Sequence, residues 1–330
     1  MSTMRAIKNA IKLPYELFAS ATGYHRRTLK YPALWVIMYH RILPQNDSRY
    51  STEEPGMIVE PETFSQHLRI FKNEFSMIPL IEWVNRVNRG LPVPSKSCAI
   101  TFDDGWLDNY EYALPILETE QVPATFFVVS ELAGTNNNFW PNRLIRLLQQ
   151  PQTIIRQHPW LLSLVGNHQV NRESIAKIIS CIKSKPDSFI LDRLEQAEKI
   201  IKLKHLKPVL MGWDQLRHLS DHPLFDIGSH SCNHVRLCDG LDPSVMKHEI
   251  STSKKQLTER LEKPVRLFCY PNGEYSKEAV SEVANLYEAA VTTQPGINLS
   301  TNSSLHTLNR YGIHQGNADN RRKLLANISR

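Results

Sequence analysis

Runs of uninterrupted apolar residues punctuate this chain, and between them apolar residues recur every three or four positions. Residues 34–40 carry no charge up to a closing histidine, the pattern of a strand buried on both faces. The pattern returns at 98–100, 122–129, 224–227, 265–270, 289–293 and within 305–313, and a short run at 77–80 adds another strand. Helical spacing fills the gaps. It is seen in Phe64, Leu68 and Phe71 behind Pro61, in residues 81–87 up to Gly90, in residues 109–117, and from Trp213 to Leu219. Asp242-Pro243 opens a helix through Met246, Ile250, Leu257 and Leu261, and Ser276 caps another to Leu286. Strands that alternate with helices predict a parallel α/β sheet.

The alternation fails in two places. Over about 135–210 the pattern is helical only, with Leu144, Leu147 and Leu148, then Ile175, Ile178 and Ile179, then a helix capped by Asp187-Ser188 and carrying Ile190 and Leu194. This insert either walls a groove, binds a partner or packs as decoration. Residues 1–30 form a basic amphipathic lead, with Ile7, Ile11 and Leu13 near helical spacing beside Lys8 and Lys12. Such a lead either touches an anionic lipid surface or packs on the main domain, 31–330. The closing run Arg321-Arg322-Lys323 reads as a solvated tail.

Composition narrows this only a little. The 330 residues suit one large barrel domain or two ordinary ones. The net charge of +6 is not gathered in a Lys/Arg run, which argues against nucleic acid as a partner. Five cysteines at irregular spacing make no disulfide framework and suit a reducing compartment. No apolar run reaches the ~18–20 residues of a membrane span, and the lead lacks the continuous core of a secretory signal. The expected location is therefore the cytoplasm. The sequence names no oligomeric state.

Candidate chemistry sits at the strand ends. Thr101-Phe102-Asp103-Asp104-Gly105 places two adjacent carboxylates just past a buried strand. Both can stay ionised only beside a cation, so one can bind a metal while the other handles a proton. Alone, the run also reads as an Asp-Asp-Gly turn. Downstream, Gly228-Ser229-His230-Ser231-Cys232-Asn233-His234 follows another apolar strand. Two histidines four apart lie on one face of a helical turn, a usual spacing for imidazole ligands of one divalent ion. No Gly-x-Ser-x-Gly elbow and no Walker-type loop is present.

Together with Phe268-Cys269-Tyr270-Pro271-Asn272-Gly273-Glu274-Tyr275, these motifs resemble the polysaccharide deacetylase family with the NodB homology domain, carbohydrate esterase family 4. The resemblance implies a distorted (β/α) barrel of about seven parallel strands with the helical insert, and chemistry at the C-terminal strand ends. It implies a hydrolase that removes N-acetyl groups from an amino-sugar glycan, polymeric, free or lipid-linked. Asp104, His230 and His234 would hold one divalent ion, zinc first, and Asp103 would be the general base. The backbone N–H near Asn272 would be the oxyanion donor, with Tyr270, Pro271 and Gly273 shaping that turn and His40 lining the pocket. Many members carry Arg where this chain has Cys269. Arg310 would replace it by pairing with Asp103, and His306 would be the general acid. Two other classes stay open: a carbohydrate-binding scaffold with weakened turnover, and a hydrolase of another amide.

Overall fold

The computed structural model describes residues 13–329 except 55, 167–169, 202–207 and 302–303. Residues 1–12, with Ile7, Lys8, Ile11 and Lys12 of the basic lead, lie outside the described residues. In the rest of the lead, residues 13–22 form a helix, α1, followed by a 3-10 turn at Tyr24–Arg26.

Eleven strands are described: β1 (Ala33–Tyr39), β2 (Arg41–Ile42), β3 (Ile58–Val59), β4 (Ser76–Met77), β5 (Lys96–Phe102), β6 (Ala124–Val128), β7 (Phe225–Ser229), β8 (Leu267–Cys269), β9 (Ala289–Val291), β10 (Asn298–Leu299) and β11 (Tyr311–Gly312). The main sheet runs β10-β1-β5-β6-β7-β8-β9, with β11 beside β1 and β4 beside β5. Every pairing in it is parallel except β1 with β10. One segment closes the two ends: Leu308 bridges Val291 of β9, and Tyr311, three residues on, pairs with Ile37 of β1. The result is the distorted (β/α) barrel expected from the sequence. All seven residues of β1 are buried, because one face meets the barrel interior and the other the helical layer.

The outer layer holds α2 (Pro61–Glu74), α3 (Leu80–Asn88), α4 (Leu114–Glu120), and, beyond the insert, α10 (Trp213–Asp221), α11 (Pro243–Leu261) and α12 (Lys277–Leu286). Helix α2 buries Phe64, His67, Leu68 and Phe71, one stripe at helical spacing. Between β6 and α10 come α5 (Trp140–Leu148), α6 (Gln152–Ile155), α7 (Pro159–Val165), α8 (Arg172–Ile182) and α9 (Asp187–Ile200). These pack around a separate hydrophobic cluster that includes Leu144, Leu161, Ile179, Ile190 and Leu194. The chain ends in α13 (Gln315–Ala318) and α14 (Arg321–Asn327).

Four local expectations change. The strand read at 77–80 stops at Met77, because Pro79 leads straight into α3. Asp187 does not cap α9 and instead accepts from Arg236. His230 and His234 lie in an irregular loop, not a helical turn, with φ of 63° at Ser231 and 60° at His234. The basic tail is a docked helix: Leu324, Leu325 and Ile328 are fully buried, and Arg321 and Arg322 pair with Glu74 and Glu16.

Candidate metal centre and active site

Strand β5 ends at Phe102, so Asp103 and Asp104 lie where the strict alternation of side chains stops. Asp103 N–H donates to the Tyr39 carbonyl (3.0 Å), and Asp104 and Gly105 then take left-handed φ values of 77° and 78°. Both carboxylates thereby line one cavity of about 210 Å³.

Asp104 Oδ1 lies 3.4 Å from His230 Nε2 and 3.5 Å from His234 Nε2. Two ligands about 2.1 Å from a tetrahedral ion stand about 3.4 Å apart. The three side chains therefore fit one divalent cation, and their nitrogen–oxygen set suits zinc among others. The other atoms of the ligands are held. His230 Nδ1–H donates to the Cys269 carbonyl (2.8 Å), which leaves Nε2 free to bind. Trp106 Nε1–H donates to Asp104 Oδ2 (2.9 Å), which turns Oδ1 towards the histidines. The His234 N–H donates to Ser231 Oγ (3.0 Å), and Glu249 of α11 accepts from the N–H groups of Cys232 (3.0 Å) and Asn233 (2.8 Å). That carboxylate stiffens the loop between the two imidazoles.

Without an ion the cluster holds a proton instead: burial lowers His230, but Cys269, Asp104 and Asp103 outweigh it and raise this imidazole well above its ordinary value, so a bound cation takes the place of the His230 Nε2 proton. Burial pushes the Asp104 carboxyl up, but the hydrogen bond with His230 and the charges of His40 and His234 more than reverse it, so it stays well below the usual range. Burial and the charge of His230 draw His234 down to about 4, which keeps it the neutral imidazole a cation needs.

Asp103 is held differently. Arg310 Nη1 and Nη2 donate to its two oxygens, each at 2.7 Å, with both side chains buried. Burial raises this carboxyl, and the charge and hydrogen bonds of Arg310 outweigh it, for a net lowering. The guanidinium is itself fixed by the Thr292 carbonyl (2.7 Å) and Thr101 Oγ1 (3.1 Å), with Cys269 Sγ at 3.1 Å. Asp103, His230 and Cys269 also sit close enough to share a cation. There the Arg310 guanidinium already neutralises Asp103 and lies against Cys269 Sγ, so the Asp104 set is the one of the two that offers a carboxylate without a cationic partner of this kind.

His40, Tyr270 and Asn272 line the same cavity. Pro271 and Gly273 are buried and shape the turn, in which Asn272 takes φ 55°. Gly273 has φ 71°, and a Cβ there would come 2.0 Å from Thr293 Oγ1, so only glycine fits. His306 does not join the cluster. Its Nε2 bonds the Tyr287 carbonyl (2.9 Å), and its own carbonyl accepts from the Tyr270 hydroxyl (3.0 Å).

Several supporting residues have no local signal in the sequence. Buried Arg41 bonds Asp108 (2.9 and 2.7 Å) and Glu53, and stacks 4.1 Å from the Trp106 ring centroid. Phe139, at the start of the insert, packs between Trp106 and His234, with ring centroids 5.1 Å from each. Asn142 of α5 donates to Glu53 (3.1 Å). Only Glu249 left a trace, as an acidic residue on the buried stripe of α11.

A parallel barrel with carboxylates and imidazoles gathered at its C-terminal strand ends has its candidate site on the face where barrel proteins keep their chemistry. Residues 90–291 match the family model for polysaccharide deacetylases, and the chain belongs to that family. It is 21% identical over 292 residues to YxkH of Bacillus subtilis (strain 168), whose name gives polysaccharide deacetylation provisionally; the match spans 88% of this chain and 75% of that one. Among solved structures it resembles the Streptococcus pyogenes deacetylase PplD in complex with acetate (TM-score 0.60, 20% identity, 91% of this chain and 100% of that one). It also resembles IcaB from Ammonifex degensii (TM-score 0.57, 16% identity, 90% and 97%). At such identity these structures show a shared fold.

Proposed function

We propose that this chain is a metal-dependent hydrolase that removes N-acetyl groups from an amino-sugar-containing glycan. The observation that carries this reading is the convergence of Asp104, His230 and His234, with Asp103 alongside under a bidentate clamp. Asp104, His230 and His234 would hold one divalent ion, zinc first. When bound, such an ion supplies Lewis acidity that polarises an amide carbonyl and acidifies water.

The chain's own residues do the rest. Asp103, ionised and fixed by Arg310, takes the proton from the attacking water. The backbone N–H at Asn272 donates to the oxyanion that develops on the acetyl carbonyl, and Gly273 lets that backbone come close. His40 faces the same cavity and donates the proton to the departing amine, a part that the family resemblance assigns to His306. Cleavage yields acetate and a free amino group on the sugar.

The test is metal analysis of protein purified without chelator, then acetate release from N-acetylglucosamine oligomers. Asp104→Ala and His230→Ala should each lose metal and acetate release while the circular dichroism spectrum is kept. Stoichiometric metal with no acetate from any acetylated glycan would favour a binding protein on the same fold and overturn the enzymatic reading.

A further inference from the structure

The solvent face of α1 is apolar where a surface helix is ordinarily polar. Leu13, Tyr15, Leu17 and Phe18 are 44–67% exposed, and Pro14 and Ala21 are exposed too. Glu16 is the one acidic residue of the first thirty, and it points inward to pair with Arg322 (3.1 Å). Those thirty residues hold six Lys or Arg, so nearly all of the chain's +6 belongs to one end. Just past α1, exposed Tyr24 and Tyr31 carry Arg27 and Lys30 over their rings, each 5.1 Å from the centroid. Apolar side chains flanked by aromatic–cation pairs are the composition of a helix that lies in a lipid interface.

Its place in the barrel gives the surface a direction. Lys96, the first residue of β5, donates to the His25 carbonyl (2.8 Å), and Glu74, the last of α2, pairs with Arg26 (3.0 Å). Ser329 Oγ donates to the Ala19 carbonyl (3.1 Å), which ties α1 to the chain end. All of these mark the N-terminal ends of the strands, whereas Asp103 and His230 follow the C-terminal ends of β5 and β7. A strand of seven residues separates the two ends by about 20 Å.

We infer that α1 and residues 24–31 dock the protein on an anionic lipid bilayer, with the cavity mouth on the side away from it. The occupant is a lipid surface because the face joins exposed apolar side chains to a local positive charge that acidic headgroups complement. The inference does not depend on the deacetylase reading, and its test needs no turnover. The full chain should co-sediment with vesicles of equal parts phosphatidylglycerol and phosphatidylcholine about tenfold more than with phosphatidylcholine alone, and less as salt rises. Leu17→Glu with Phe18→Glu should abolish that binding with the thermal melt unchanged. After Cys238→Ser, a solvent-sensitive dye on exposed Cys181, two residues from pocket-lining Lys183, should keep its emission on vesicles. Indifference of the wild type to anionic vesicles, or full binding by the double variant, would overturn the inference. So would a dimer that the variant splits while vesicles stay unbound, since the face would then belong to a second copy. A blue shift at Cys181 would overturn the orientation.

Discussion

Two residues outside the motif ligands set what the cluster can do. Trp106 holds the outer oxygen of Asp104, so Trp106→Phe keeps the ring and removes only the N–H. Metal affinity should fall about 10–100-fold, the usual cost of losing a partner that orients a ligand, read by competition with a chromophoric chelator. Arg310→Met leaves Asp103 a buried carboxylate without its cation. The urea midpoint should drop by the equivalent of about 3–5 kcal/mol. Adding Asp103→Asn should restore most of that stability and none of the acetate release. If the double variant stays as unstable as the single one, the pair is not the source of the loss. Asp103, Asp104, His230 and His234 were legible because each lies in a short motif beside an apolar strand. Trp106, Phe139 and Arg41 were not, because their roles come from contacts between segments far apart in sequence.

At the scale of elements, the buried strands were the most legible, since β1 is a continuous apolar run and β5 and β6 carry apolar runs at 98–100 and 126–128, all buried. Where two backbone states compete, the pattern says less. The 77–80 run is apolar in either state, and Pro79 decides for the helix. The four-residue histidine spacing suggested a helical turn, yet a loop braced by Glu249 brings the rings to 4.8 Å between centroids. Asp187 has the chemistry of a cap and is used as an anchor, which no local rule reveals. That anchor joins the insert to the histidine loop. Arg236 bonds Asp187 (2.9 Å) and the carbonyls of Lys183 (2.8 Å) and Lys185 (2.5 Å), and Lys183 lines the cavity. Arg236→Ala should therefore free this wall. Hydrogen exchange over 183–190 should quicken, and KM for an acetylated oligomer should rise about 3–10-fold, as expected when one or two charge-assisted contacts are lost, with kcat nearly constant. A fall in kcat at constant KM would mean that Arg236 acts on the ligands and not on the wall.

Across the whole molecule, the barrel is stitched by a neutral histidine that is not part of the cavity lining. His67 of α2 lies between β1 and α13 and is 1% exposed. Its Nε2–H donates to the Ala318 carbonyl (2.6 Å), and its Nδ1 accepts from the Tyr39 hydroxyl (3.0 Å), so both nitrogens are engaged in the uncharged form. Burial lowers its pKa to about 4 from 6.5, against a smaller opposing contribution from the Ala318 bond. The unfolded chain, with an ordinary histidine, takes up this proton as pH falls through 6.5, and the folded chain resists until about 4. Between those values the unfolded state binds more protons, so stability must fall as pH falls. The shift corresponds to about 3 kcal/mol, fully present above pH 6.5 and lost by about pH 4. Asp103 and Asp104, both held below the usual carboxylate range, begin to lose their contribution only towards the lower edge of that window. Urea midpoints measured across the window should therefore decline with acid. His67→Gln, which keeps a donor and an acceptor without a titrating ring, should start less stable at neutral pH and lose less on acidification. An equal decline in the variant would place the acid sensitivity elsewhere in the molecule.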